Sequence, residues 1–227
     1  MFKAAMKALL TVKNKTLWLK IFIHCAALLP LLNAYYLALN DKFGADPVEA
    51  IIHFTGIGAF NLLLITLVVS PLAKRFKQGF VLNVRRLLGL YAFVYAVMHL
   101  LNFLAFEVQF DFKLFVNEIF QRPYITVGMF AFTILGALAI TSVNRYKRRM
   151  GKSWQTLHNF IYLVVILVSI HFYWSVKSEI VEPSIYIIIS CFLLSLRRKK
   201  FSRWLKLKLK LKSDSKISNT TIASHKN

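Results

Sequence analysis

The chain has 227 residues, of which 57% are hydrophobic and only 17% charged, and its formal net charge is +21. Soluble domains have about a quarter of their residues charged, whereas the 30 basic residues here lie in short clusters between long apolar runs. This pattern excludes a soluble nucleic-acid-binding protein and an intrinsically disordered chain. It is typical of a protein that crosses a membrane several times.

Six apolar segments are long enough to cross a bilayer, since a spanning helix needs about 20 residues. They cover residues 17–39, 50–72, 87–106, 123–143, 155–176 and 183–199. The sixth is the weakest, because its uninterrupted apolar core runs only from Ile185 to Leu196. The sequence therefore predicts an all-α, six-helix transmembrane bundle over residues 17–200. A basic N-terminus (1–16) precedes it, and a basic tail (201–227), predicted to be disordered, follows.

The charges between the apolar segments predict the orientation of the bundle. The N-terminus, the second and fourth loops and the tail hold 26 basic residues and one acidic residue, Asp214. The other three loops hold eight acidic residues and four basic ones. Because basic loops remain on the cytoplasmic side of a membrane, both termini are predicted to be cytoplasmic.

Familiar nucleotide-binding and thiol motifs are missing from the sequence. Neither a GxGxxG after a strand nor a P-loop is present, so no domain for NAD(P)H or ATP is predicted. Thr55-Gly56-Ile57-Gly58 lies inside the second span and predicts close helix packing. Cys25 and Cys191 form no CxxC pair and are predicted to be buried packing residues.

Five histidines lie in or beside the spans: His24, His53, His99, His158 and His171. His99 is 8 residues before Glu107, and His171 is 6 residues before Lys177. At about 1.5 Å per residue they lie about 12 Å and about 9 Å from the outer ends of the third and fifth spans. Two histidines at one depth on separate helices can hold the two axial positions of a haem iron.

A second haem site, nearer the cytoplasmic side, would lack one of its two histidine ligands. His158 is about 9 Å from the cytoplasmic end of the fifth span and about 20 Å from His171, enough to separate two stacked haems. The corresponding positions of the third span, 13 and 14 residues before His99, are Arg86 and Arg85. An inner haem would therefore have His158 on one side and an arginine, water or nothing on the other. A straight helix turns by about 220° over 13 residues, so His158 and His171 share a face only if the helix bends.

Each of these residues also has a structural interpretation. His24 and His53 are predicted to hydrogen-bond to neighbouring helices, and Arg85 and Arg86 are ordinary cytoplasmic anchors on composition alone. Trp154, Tyr173 and Trp174 lie at span ends, where aromatic belts occur. A transporter or structural membrane protein, with histidines as proton relays or packing residues, is the alternative class.

Short stretches in a fixed order give the chain a resemblance to the MsrQ family, formerly YedZ. This family comprises the haem-binding membrane subunits of a bacterial methionine sulfoxide reductase system. The resemblance covers residues 17–200. Its stretches are Gly44-Ala45-Asp46-Pro47, His53-Phe54-Thr55-Gly56, Ser70-Pro71-Leu72-Ala73, Arg85-Arg86-Leu87-Leu88-Gly89-Leu90, His99-Leu100, Arg122-Pro123-Tyr124, Gly151-Lys152 with Trp154, Leu157-His158-Asn159, and His171 with Trp174-Ser175-Val176-Lys177.

The resemblance implies a b-type cytochrome of the bacterial inner membrane that binds haem b and FMN. Its electrons would come from the quinone pool or a cytoplasmic flavin reductase. They would pass to MsrP, a periplasmic molybdopterin subunit that forms a heterodimer with the membrane subunit and carries out the sulfoxide reduction. The wider relationship is to the ferric-reductase and NADPH-oxidase membrane domain, which carries two histidine pairs. This chain departs from that pattern at Arg85 and Arg86, and a ferric or cupric reductase is the alternative activity.

Overall fold

In a computed structural model, residues 2–40, 42–176 and 179–197 are described, and all their regular structure is helical. A 3₁₀ segment, Gly79–Val84, leads into the third helix, and a π-helical segment, Phe103–Glu107, follows it. The helices are α1 (Phe2–Leu39), α2 (Pro47–Arg75), α3 (Arg85–Asn102), α4 (Phe112–Gln121), α5 (Pro123–Ile140), α6 (Asn144–Met150), α7 (Lys152–His158), α8 (Ile161–Ser175) and α9 (Val181–Ser195).

Five stretches of the described residues are long and apolar enough to cross a membrane. They are Val12–Leu39, Pro47–Arg75, Gly79–Glu107, Pro123–Ile140 and Lys152–Ser175. The predicted all-helical, multi-pass architecture is therefore confirmed. The sixth predicted span corresponds to α9, a shorter apolar helix of 15 residues, and its crossing of the bilayer stays a prediction.

Local sequence signals define where the helices begin. The Asp46 carboxylate accepts hydrogen bonds from the backbone N–H groups of Val48 and Glu49, and Pro47 occupies the first turn of α2. Such a cap satisfies N–H groups that have no partner inside the helix, and proline loses nothing there. Asp111 caps α4 in the same way, and Pro123 starts α5.

Two helix pairs form the centre of the bundle. The most extensive packing joins α2 to α3 and α5 to α8. Gly58 of α2 lies so close to α3 that an added Cβ would be 2.4 Å from the ring of Tyr95. The close packing predicted from Thr55-Gly56-Ile57-Gly58 is therefore confirmed.

Hydrogen bonds from side chains join helix α1 to α3, and α3 to α2. The Tyr35 hydroxyl donates to Oδ1 of Asn102 at 2.7 Å, and the Asn102 amide donates to Oγ1 of Thr55 at 3.3 Å. Asn102 and Thr55 are both buried. The Tyr95 hydroxyl donates to the Ala27 carbonyl at 2.6 Å. These bonds satisfy polar groups that would be costly to bury unpaired.

The predicted fifth span is broken immediately after His158. Helix α7 ends there, and α8 begins at Ile161. Across the junction the N–H of Phe160 bonds to the carbonyl of Leu157 at 2.9 Å, a tighter spacing than in an α-helix. The predicted span over residues 155–176 is found as the apolar stretch Lys152–Ser175, and a tight turn at Asn159 and Phe160 interrupts its helix.

The chain divides into two compact units, Met1–Ser190 and Cys191–Asn227. Of the second, residues 191–197 are described, and they are helical through Ser195. The predicted tail (201–227), with His225, lies outside the described residues, as do Asp41 and Lys177. Cys25 and Cys191 are free and exposed, so the prediction that they are buried was wrong. The outer face of a spanning helix meets lipid, which accepts a thiol without burial in protein.

Candidate functional site

The imidazoles of His99 and His171 lie side by side near the C-terminal ends of α3 and α8. His99 is in the last turn of α3 and His171 is near the end of α8. Their ring centroids are 6.2 Å apart, and the ring planes meet at 84°. Both side chains are half-buried. The structure thus brings together the two histidines that depth counting paired.

Both imidazoles are anchored through the same nitrogen. Nδ1 of His99 lies 2.9 Å from the carbonyl oxygen of Ile52 in α2, and Nδ1 of His171 lies 2.7 Å from that of Tyr124 in α5. A carbonyl oxygen can only accept a hydrogen bond, so each Nδ1 carries the proton. Each Nε2 therefore keeps its lone pair, the arrangement of a metal-binding histidine whose orientation is fixed by an outer partner.

The geometry of this pair fits a metal held between the two rings. An imidazole nitrogen binds a metal ion at about 2.0–2.1 Å, which puts the centroids of two trans ligands roughly 6 Å apart. The observed separation of 6.2 Å agrees with this value. Two imidazoles at this separation could hold the iron of a haem, which would supply one-electron redox chemistry.

His158 lies in a separate cluster, around the junction of α5, α6 and α7. Its Nε2 is 3.3 Å from the Thr141 hydroxyl, and its ring stacks on Trp154 with centroids 4.0 Å apart. The Trp154 indole donates to the Thr141 carbonyl at 2.9 Å, and the Lys147 ammonium lies 5.0 Å from the indole centroid. Trp154 therefore supports the imidazole directly, in addition to its position at the end of a span.

The two arginines differ in their surroundings. Arg85 is half-buried, donates to the Ser70 hydroxyl at 3.5 Å, and is close enough for its charge to act on His158. Arg86 is exposed and donates to Asn144 at 3.5 Å. Of the two arginines, Arg85 is thus the less exposed and the one whose charge acts on His158. In the described part of the chain, His158 contacts Thr141 and Trp154 and forms no ring contact with another imidazole.

The other two intramembrane histidines have structural partners. Nδ1 of His24 lies 2.5 Å from the hydroxyl of Tyr91 on α3, which confirms its predicted hydrogen bond to a neighbouring helix. Nε2 of His53 is 3.4 Å from the Glu182 carboxylate, and its ring contacts Phe172. Both side chains are exposed on the bundle surface.

Two contributors to the site were not anticipated from the sequence, namely the carbonyls of Ile52 and Tyr124. A backbone acceptor carries no side-chain signature. One numerical signal was available, because both acceptors precede their histidines by 47 residues. The second histidine and its carbonyl each lie 72 positions after the first, so the α2–α3 and α5–α8 pairs repeat one arrangement of carbonyl and imidazole.

Comparison with known proteins agrees with this architecture. The family model described as "Ferric reductase like transmembrane component" matches residues 55–169. Three curated relatives, each 45% identical, are named "Protein-methionine-sulfoxide reductase heme-binding subunit MsrQ". The protein from Klebsiella pneumoniae (strain 342) aligns over 82% of this chain and 94% of its own length. Those from Salmonella newport (strain SL254) and Cronobacter sakazakii (strain ATCC BAA-894) align over 86% of this chain and 98% of theirs.

No solved structure matches the chain. The 45% identity extends over most of both chains, and the family model covers α3 and α5 in full and most of α2 and α8. The chain belongs to the MsrQ family and contains a ferric reductase-like transmembrane domain.

Proposed function

We propose that this protein is a b-type cytochrome that carries electrons across the bacterial inner membrane, with His99 and His171 as the axial ligands of its haem. The observation that carries the proposal is the facing pair of imidazoles, 6.2 Å apart, each with Nδ1 bonded to a backbone carbonyl. The curated relatives are named heme-binding subunits, which supports the same cofactor. When bound, haem supplies a centre that accepts and releases one electron at a time.

The protein's part in this chemistry is to orient and tune the two ligands. The carbonyls of Ile52 and Tyr124 fix the tautomer of each imidazole and raise the basicity of its Nε2. The Thr55 hydroxyl also donates to the Ile52 carbonyl, at 3.0 Å. Because Asn102 binds Thr55 from α3, this hydrogen-bond network links the helix that carries His99 to the helix that anchors it.

The direction of electron flow follows from six spans with both termini in the cytoplasm. This orientation rests on the 26 basic residues of the termini and of the second and fourth loops. It places His99 and His171 towards the periplasm, where the acceptor would be the catalytic subunit MsrP with its molybdopterin. The name of the relatives, a subunit of a protein-methionine-sulfoxide reductase, supports a partnership with such a reductase. The donor would be the quinone pool or a cytoplasmic flavin reductase, as the family resemblance implies.

A second haem on the cytoplasmic side would take His158 as its one imidazole ligand, with Arg85 near it. The cationic guanidinium is a poor metal ligand but a good partner for a propionate. Beside the pair at His99 and His171, this inner position is the weaker haem site. FMN is proposed on the resemblance alone.

The proposed function is tested by giving the reduced protein a choice of acceptors. Purified protein is reduced without oxygen and mixed with a periplasmic methionine sulfoxide reductase subunit and an oxidised protein substrate. Fast reoxidation of the haem that depends on both additions is expected. Reoxidation by ferric or cupric complexes alone would instead indicate a metal reductase. A purified protein without a haem spectrum after expression with sufficient haem would contradict the proposal and favour a transporter or structural protein.

A further inference from the structure

We infer that Gly56 and Gly128 are positioning residues for the two haem-ligating imidazoles, each setting how closely a histidine approaches the facing helix. The inference rests on the proposed function, since it concerns the ligands of the same haem. It adds two glycines to the haem site. They act through the absence of a side chain, which leaves room for the imidazole ring.

The first contact lies between α2 and α3. A Cβ added to Gly56 would lie 3.0 Å from Nδ1 and 3.1 Å from Cε1 of His99. Ordinary contacts between such atoms are about 3.5–4.0 Å, so the imidazole lies in space that any other residue would fill. Gly56 is one helical turn after Ile52, whose carbonyl binds the same Nδ1. The missing side chain therefore lets the ring reach that carbonyl.

The second contact, between α5 and α8, repeats the first. A Cβ on Gly128 would lie 2.8 Å from Nδ1 and 2.9 Å from Cε1 of His171. Gly128 is likewise one turn after Tyr124, whose carbonyl accepts from that Nδ1. Glycine, carbonyl and histidine each recur 72 positions later in the sequence. The same three-part arrangement, formed independently by two helix pairs, argues against a chance contact.

These distances also predict that an added methyl group displaces His171 more than His99. At Gly128 the added methyl group would be too close for any real contact, so the His171 ring has to move. At Gly56 the overlap is smaller, and a shift of a few tenths of an ångström relieves it. Each ring is held by a backbone carbonyl and, in the proposed cytochrome, would also be held by the haem iron, so displacement would weaken one of these two bonds.

The experiment compares four glycine-to-alanine variants of the full-length protein in detergent. Gly56→Ala and Gly128→Ala test the inference. Gly89→Ala and Gly136→Ala are controls on α3 and α5, because a Cβ at Gly89 meets nothing within 4 Å and one at Gly136 lies 3.5 Å from Phe93. Alanine favours a helix over glycine, so the controls are expected to retain the wild-type fold. Haem per chain, spin state and midpoint potential are measured, together with the thermal midpoint.

Gly128→Ala is expected to lower haem affinity by roughly 10-fold, the lower end of the range for loss of an outer partner. Its remaining haem should contain a high-spin fraction. Gly56→Ala should retain more haem but show a higher midpoint potential, since an imidazole that loses its carbonyl is less basic and stabilises ferric iron less. The controls should match wild type in all three measurements. If Gly128→Ala fails to fold, Gly56→Ala still tests the inference through its potential.

Wild-type spin state and potential in both test variants would overturn the inference while leaving the proposed function intact. A lower thermal midpoint with unchanged spin state and potential would overturn it as well, because the glycines would then serve packing alone. Absence of haem from the wild-type protein would contradict the proposed function itself, so the two failures are distinguishable.

Discussion

The ring planes of His99 and His171 are nearly perpendicular, meeting at 84°. The two residues reach this arrangement because each ring follows its own carbonyl, on α2 for one and on α5 for the other. Since the two carbonyls belong to different helix pairs, the packing of these pairs sets the angle between the rings.

This angle predicts the magnetic signature of the oxidised haem. With perpendicular imidazoles the π-interactions of the two ligands nearly cancel, so two iron d orbitals stay close in energy and the low-spin signal is strongly anisotropic. Electron paramagnetic resonance of the purified ferric protein measures this directly. A rhombic signal, typical of parallel imidazoles, would contradict the ring geometry.

The network around Asn102 predicts an effect on stability. In Asn102→Leu, Tyr35 and Thr55 lose a buried partner, and a buried unsatisfied group costs about 1–3 kcal/mol. A lower thermal midpoint with a retained low-spin haem spectrum is expected. Asn61→Leu is the control, because Asn61 bonds to Tyr186 at an exposed position, and its effect should stay within about 0.5 kcal/mol. Equal destabilisation by both changes would argue against the network.

The cluster around His158 predicts that replacing Arg85 slows haem reduction and that replacing Arg86 does not. His158→Ala should slow haem reduction by a quinol and should spare the low-spin signal of the haem at His99 and His171. Arg85→Ala should have a smaller effect in the same direction, because its charge acts on His158. Arg86→Ala, at an exposed position beside Asn144, should match wild type. Stopped-flow reduction measures all three.

Wild-type rates in both His158→Ala and Arg85→Ala, with one haem per chain, would show that the inner cluster has a packing role. A slow Arg86→Ala variant beside a normal Arg85→Ala variant would reverse the assignment of the two arginines.

The orientation is tested with reporter fusions. Alkaline phosphatase is active only outside the cytoplasm, so a fusion after Asn227 should be inactive. A fusion between Glu107 and Arg122, the loop that contains α4, should be active. Inactive fusions in that loop and active ones at the C-terminus would invert the proposed direction of electron flow.

The sequence allowed the pairing of His99 with His171 because depth in a membrane can be counted from charged boundaries, at about 1.5 Å per residue in a helix. It allowed the close α2–α3 packing because glycines in a span have few other uses. Both predictions use only positions along the sequence, which a regular helix converts directly into positions along its axis.

Other features depend on tertiary contacts that no local pattern records. The break after His158 follows no proline or glycine, since the residues at the junction are Asn159 and Phe160. The carbonyl anchors are backbone atoms, and the amphipathic helix α4 was treated only as a charged loop. The exposure of Cys25 was missed because an apolar solvent removes the usual reason to bury a thiol.

The central claim is that His99 and His171 are the axial ligands of one haem. Its most direct test is haem content and absorption spectrum of purified wild type, His99→Ala, His171→Ala and His24→Ala. We expect a low-spin b-type spectrum in wild type and in His24→Ala, whose imidazole bonds to Tyr91, and its loss in both other variants. An unchanged spectrum and haem content in His99→Ala and His171→Ala would contradict the assignment.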